Sequence, residues 1–260
     1  MEGRTTTRRE WLLCPRPDPD AQLRLICLPY AGGRAGIFLD LAGELPDGVE
    51  LGAVELPGHG GRLREVPYPR LGPLVAHLTD RLAERVDKPF VLFGYSMGGL
   101  LAFEVARELA ARGLPGPRAL FIAAAEAPHV SPASPPVREL SAADLIAQLG
   151  RFGSGQHSLL QNAELAAIML PVLRADLSVC ETYVYEPGPP LDCPLFAFGG
   201  TDDARVPRRS LAAWAARTTG EFSLDLLPGG HFFLDTARAA FAERLRAALT
   251  RVTEVSGAGK

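Results

Sequence analysis

Ser96 stands in Gly94-Tyr95-Ser96-Met97-Gly98, at the end of the apolar run Phe90–Tyr95. Glycines at 94 and 98 allow a bend too tight for side chains, and the hydroxyl then projects at the head of a helix. Backbone N–H groups and the helix dipole favour negative charge there. A serine hydroxyl is a poor nucleophile until a base takes its proton and an acid orients that base. On a strand–turn–helix elbow of this kind the partners follow in the order Asp or Glu, then His.

Of the five histidines, His129, His157 and His231 follow Ser96. His231 lies in Leu227-Pro228-Gly229-Gly230-His231-Phe232, on a glycine turn after an apolar run, and is the expected base. His129 and His157 fall in an irregular region and are expected at the surface or lining a pocket. For the acid, Gly199-Gly200-Thr201-Asp202-Asp203-Ala204-Arg205-Val206 offers two adjacent aspartates. A Gly-x-x-Asp-x-x-Val spacing over Gly200, Asp203 and Val206 favours Asp203, with Asp202 capping the turn. Asp176 is a weaker candidate, and ordinary turn chemistry also explains an aspartate pair. The oxyanion of an acyl transfer needs two preorganised N–H donors. Met97, after the nucleophile, supplies one; Ala31, in the loop Tyr30-Ala31-Gly32-Gly33, is the choice for the other.

These residues need a scaffold that gathers loop ends on one rim. Strands are expected at Leu23–Leu28, Leu51–Leu56, Phe90–Tyr95, Ala119–Ala124, Leu195–Phe198 and Phe222–Leu227. Between them lie helical patterns near Ile37–Leu45, from Leu71 to Val86 and after Ser96, with others near Arg208–Arg217 and Phe233–Val252. Alternating strands and helices predict a parallel sheet covered on both faces. In the helix after Ser96, Leu101, Val105 and Leu109 form a stripe that docks on the sheet, and Gly113 suits its end. His77, Arg81 and Glu84 fall on the polar face of the preceding helix and are expected to be solvated.

The segment from about 128 to 190 breaks the rhythm, with several prolines and then helical patterns at Ser141–Leu149 and Glu164–Tyr185. Ser141 with Asp144 makes an N-cap. Such an insertion between core strands is placed to act as a lid over the elbow. Residues 1–20 are expected to form an arm pinned at Trp11-Leu12. A single domain over 1–260 is expected, since α/β folds of this length run undivided.

The net charge of −3 argues against nucleic acid as a main partner. No apolar run of about 18 residues and no leader-like N-terminus is present, so a chain without membrane spans in the cytoplasm is expected. Cys14, Cys27, Cys180 and Cys193 lack Cys-x-x-Cys spacing and are expected as reduced thiols.

Taken together the sequence resembles the type II thioesterases, stand-alone α/β-hydrolases that accompany polyketide synthases and nonribosomal peptide synthetases. Five stretches carry the resemblance. They are Leu28-Pro29-Tyr30-Ala31-Gly32-Gly33, Leu56-Pro57-Gly58-His59-Gly60-Gly61-Arg62, and Gly94–Gly99 with Phe103-Glu104. The others are Leu170-Pro171-Val172-Leu173-Arg174-Ala175-Asp176 with Tyr183, and Gly199–Asp203 leading to Gly230-His231-Phe232. The family often has Arg where His59 stands, and His59 is expected to be a loop residue.

The resemblance implies an α/β-hydrolase fold with a mostly parallel sheet, a Ser96–Asp203–His231 triad, and Ala31 and Met97 at the oxyanion. It implies acyl thioesters on the phosphopantetheine arm of acyl or peptidyl carrier proteins as substrates, with no metal or bound cofactor, and a monomer by default. Apolar residues such as Leu145, Leu149, Leu159 and Met169 are candidates for an acyl groove or for plain core. Arg62, Arg64, Arg205, Arg208 and Arg209 are candidates for a patch facing an acidic carrier. Alternatives are a medium-chain fatty acyl thioesterase of a fatty acid synthase, an ordinary carboxylesterase, and a non-catalytic carrier-docking subunit.

Overall fold

The structure is a computed structural model that describes residues 11–85, 87–131, 136–151 and 156–257. Seven strands form one sheet: β1 (Leu12–Leu13), β2 (Leu23–Leu28), β3 (Val49–Val54), β4 (Phe90–Tyr95), β5 (Leu120–Ala123), β6 (Leu195–Gly200) and β7 (Phe222–Leu227). Their order is β1-β3-β2-β4-β5-β6-β7. Every pairing is parallel except β1 with β3. The six strands expected from the sequence are present, and β1 is the addition. At β1 Trp11 is buried and Leu12 pairs with Val54, as expected of the pinning point, while residues 1–10 of the expected arm lie outside the described residues.

The helices are α1 (Leu71–Arg85), α2 (Met97–Ala111), α3 (Ala142–Arg151), α4 (Gln156–Leu160), α5 (Ala163–Glu181), α6 (Arg208–Ala212), α7 (Phe233–Thr236) and α8 (Arg238–Gly257). The expected helix near 37–45 is a 3-10 helix at Ala35–Gly43, and the one at 208–217 ends in 3-10 form from Ala213. Strands β2, β4 and β6 are buried along their whole length, which is why they read as continuous apolar runs. Side chains alternate between two cores. Ile26, Leu28 and Leu92 meet Leu78 of α1 and Leu101, Val105 and Leu109 of α2. Leu25, Cys27, Val91 and Phe93 meet Phe38 and, from α8, Phe241 and Leu245. Because β2 to β7 are parallel, the loops after β2, β4, β6 and β7 all emerge at one rim.

Helices α3 to α5 form the insertion between β5 and β6, with a small core of Val137, Leu145, Leu149, Leu160, Leu173 and Leu177. Asp144 N–H donates to Ser141 Oγ at 3.1 Å, as the cap predicts. Two ties hold the insertion together and down. Arg174 of α5 donates to the carbonyl oxygens of Arg138 and Leu140. Tyr183 donates to Glu104 of α2 at 2.6 Å, joining two of the family-like stretches across 79 residues. His77 is half-buried against Tyr68 rather than solvated, while Arg81 and Glu84 form an ion pair on the helix surface. His129 is exposed, and the side chain of His157 lies outside the described residues.

Candidate active site

Ser96 holds φ 54° and ψ −113°, a conformation that L residues avoid and that an elbow imposes. The flanking glycines are required by contact. A Cβ on Gly94 would meet the Gly98 carbonyl oxygen at 2.0 Å, and one on Gly98 would meet the Leu28 carbonyl oxygen at 2.0 Å. The first turn of α2 thus lies directly on the end of β2, where the Tyr30–Gly33 loop begins. Met97 is the first residue of α2, so its N–H is one of the donors without a partner inside the helix.

At the other side of the rim, a Cβ on Gly200 would meet the carbonyl oxygens of Gly230 and Gly229 at 2.3 and 2.4 Å. That close approach presses the aspartate loop against the histidine loop. His231 Nδ1 lies 2.8 Å from Asp203 Oδ2, and His231 Nε2 lies 3.0 Å from Ser96 Oγ. A carboxylate only accepts, so Nδ1 carries the proton, and Nε2 is left to accept from the serine hydroxyl. All three groups sit where a relay needs them, and both Asp203 and His231 are buried.

The second carboxylate oxygen, Asp203 Oδ1, accepts from the N–H groups of Arg205 and Val206 at 2.9 and 3.1 Å. The turn is therefore capped by Asp203 itself, not by Asp202 as expected from the sequence. Asp202 is exposed, and its N–H donates to the Gly229 carbonyl at 2.9 Å. Tyr95, the middle residue before Ser96, is fully buried and donates to the His231 carbonyl oxygen at 2.6 Å. Sequence reasoning passed over this role, because a tyrosine before the serine carries no signal of a partner 136 residues away.

A cavity of about 270 Å³ opens onto Ser96 and His231, with Leu100, Val130, Cys180, Tyr183 and Arg205 in its walls. Leu145, Leu149 and Met169 are not among them; they pack in the core of the insertion, and Leu159 is exposed. Of the proposed basic patch, Arg62 is buried and paired with Glu65, so it faces no partner. Arg64, Arg208 and Arg209 are exposed, and Arg205 borders the cavity. A larger cavity of about 880 Å³ lies between α1, α2 and residues 182–192, away from Ser96, with Tyr183 in both linings.

Asp176 does not approach His231. It is buried on α5 and bonds Gly32 N–H at 2.6 Å and His59 Nε2 at 2.9 Å. His59 is a loop residue, as expected, and the loop buries it against Asp176. The cysteines are free thiols. Among the described residues no helix is long and apolar enough to cross a membrane, and no cluster of His, Cys, Asp or Glu is placed to hold a metal ion.

The thioesterase domain family matches residues 23–249. The chain belongs to this family. It is 37% identical over 225 residues to the gramicidin S biosynthesis protein GrsT of Aneurinibacillus migulanus, covering 86% of this chain and 88% of that one. Among solved structures, the thioesterase RedJ of the prodiginine pathway in Streptomyces coelicolor is 41% identical with a TM-score of 0.82, covering 90% and 91% of the two chains. The type II thioesterase BorB from the borrelidin cluster is 37% identical with the same TM-score, over 90% and 96%. The rat medium-chain S-acyl fatty acid synthase thioesterase is similar at a lower level, 29% over 239 residues. The α/β-hydrolase fold and the resemblance to type II thioesterases of polyketide and nonribosomal peptide pathways are thus borne out, and the similarity favours them over the fatty acid synthase alternative.

Proposed function

We propose that this thioesterase cleaves acyl groups from the phosphopantetheine arm of carrier proteins through a Ser96–His231–Asp203 relay. The observation that carries the proposal is the pair of contacts at 3.0 and 2.8 Å linking Ser96, His231 and Asp203 beneath an insertion that closes one side of the cavity. His231 Nε2 takes the Ser96 proton as Oγ attacks the thioester carbonyl. The Ala31 and Met97 N–H groups hold the resulting oxyanion, and each is worth about 10²–10³ in rate. The tetrahedral intermediate collapses, the carbon–sulfur bond breaks, and the pantetheine sulfur leaves as a thiol with the proton from Nε2, so that an acyl-serine and a neutral His231 remain. Water, deprotonated by the same Nε2, then attacks the ester and releases the acid while Ser96 recovers its proton.

A thiolate leaves readily, so the site needs little acid assistance at departure. Access and recognition then set which acyl groups are cleared, and the α3–α5 insertion serves as the lid. Arg205, with Arg208 and Arg209 just beyond it, offers positive charge to an acidic carrier or its phosphate.

The test is mass spectrometry of a carrier protein loaded with a panel of acyl groups, before and after incubation with the full chain. Ser96→Ala is expected to abolish release and to retain carrier binding. Release at the wild-type rate by Ser96→Ala would overturn the proposal.

A further inference from the structure

Asp176 takes no part in the relay, yet it is 2% exposed and its Oδ2 serves two donors. The donors, Gly32 N–H and His59 Nε2, lie 144 and 117 residues away in the chain. His59 Nδ1 faces the Pro57 carbonyl at 3.1 Å, which can only accept, so Nδ1 carries a proton. With Nε2 also protonated the ring is a cation against the carboxylate. Burial opposes that charge. The hydrogen bond and charge of Asp176, with the Pro57 carbonyl and the Glu55 carboxylate, outweigh it and raise the ring's pKa above its ordinary value. An apolar pair of the same volume often stabilises a core as well as a buried ion pair does. Packing alone therefore does not account for these residues; what they hold does.

They hold a turn. Gly33 N–H donates to the Tyr30 carbonyl at 2.7 Å, closing a β-turn over Tyr30–Gly33. Gly32, its third residue, has φ 75°, the mark of a type II turn. Types I and II differ by a flip of the central peptide, here Ala31–Gly32, whose N–H is the group Asp176 grips. The turn bond fixes the neighbouring plane: Tyr30 C=O points at Gly33, and across a trans peptide Ala31 N–H points the opposite way, out of the turn. The plane on one side of Ala31 is pinned by the turn, and the plane on the other by α5.

We infer that Asp176, backed by His59, is a positioning residue for the oxyanion hole: by holding Gly32 N–H it keeps the turn in the form that aims Ala31 N–H at the thioester carbonyl oxygen. The inference rests on Ala31 being an oxyanion donor, as proposed above. Neither Asp176 nor His59 lines the cavity at Ser96, so their effect belongs to turnover and not to substrate binding.

The experiment is a double-mutant cycle on the full chain, reading steady-state hydrolysis of an acyl-pantetheine thioester. Proline suits the second position of a type II turn, so Ala31→Pro deletes the donor and keeps the turn. Ala31→Pro is expected to lower kcat by about 10²–10³. Asp176→Leu is expected to lower kcat by about 10–100-fold, the scale of a misplaced catalytic group, with KM unchanged. In the double variant the loss stays within about twofold of Ala31→Pro alone, because both act through one N–H. Asp176→Asn keeps an oxygen for Gly32 and is expected to restore most of the turnover.

Unchanged kcat in Asp176→Leu, a loss confined to KM, or losses that multiply in the double variant each overturn the inference. Normal turnover by Ala31→Pro overturns the oxyanion assignment beneath it instead. Should Asp176→Leu not fold, Asp176→Ser, too short to reach Gly32, is read by the same criteria.

Discussion

Asp203 divides its carboxylate between His231 and its own turn: Oδ2 lies 2.8 Å from Nδ1, and Oδ1 accepts two backbone N–H groups. The turn bonds fix the side chain, so the oxygen facing His231 has no freedom to swing away. Asp203→Asn presents His231 with either a donor or a neutral acceptor and is expected to lower kcat by about 10³–10⁴. Asp202→Asn, on an exposed side chain, is expected to leave kcat within about twofold. Kinetics of the two variants side by side decide the matter, and equal losses would refute the assignment.

The His59–Asp176 pair makes a prediction about pH. The His59 pKa is raised in the folded chain, so its stabilisation is fully present below the unfolded value and is lost as pH rises through the folded value. His59→Gln removes the cation, and the stability gap to the wild type is expected to be about 1–3 kcal/mol near pH 5.5. The gap then shrinks as pH rises past the unfolded value of about 6.5 and through the higher folded value. Urea midpoints of both proteins across that range test it; a gap that widens with pH counts against an ion pair.

The elbow glycines answer to contact and not to propensity. A methyl on Gly98 would strike the Leu28 carbonyl oxygen at 2.0 Å and the Pro29 oxygen at 2.8 Å. Gly98→Ala is expected to cost at least about 4 kcal/mol or to prevent folding. Gly72, exposed in α1, has nothing beyond its own helix and chain neighbours within 4 Å of where a methyl would sit, and the ring of Pro73 after it offsets the propensity gain, so Gly72→Ala is expected to change stability by less than about 1 kcal/mol. Urea unfolding of both variants reads the two magnitudes.

Cys180 borders the cavity at Ser96, half-buried, and is expected to be a poor nucleophile. Burial, and after it the Asp176 carboxylate, push its thiol up to about 12. Thiol reactivity resides in the thiolate, so at pH 7.5 its thiolate fraction is about three orders of magnitude below that of a free cysteine. Iodoacetamide followed by peptide mass spectrometry is expected to leave Cys180 unlabelled under conditions that label a free thiol fully. Rapid labelling at Cys180 would contradict this.

Much of the fold was legible because its signals are local. Strands β2, β4 and β7 begin and end at the residues where the apolar runs do. The stripe of Leu101, Val105 and Leu109 lies on the sheet as its spacing requires. What escaped was too short or too irregular to carry a period. Two residues of β1 cannot show alternation, the five of α4 make little more than one turn, and the 3-10 geometry of Ala35–Gly43 shares its spacing with an α-helix.

The sequence by itself determined the elbow, the order of serine, aspartate and histidine, and the rim on which they meet. A glycine beside a tight bend and a turn after a strand are written within a few residues of each other. Only the tertiary structure decided that Asp203 rather than Asp202 faces His231, since one residue's difference in a turn reverses a side chain. Only it decided that Asp176, paired with His59, grips the Tyr30–Gly33 turn instead of facing His231. Those contacts span more than a hundred residues, and they exist because the α3–α5 insertion packs onto the carboxyl end of the sheet, which no local pattern encodes.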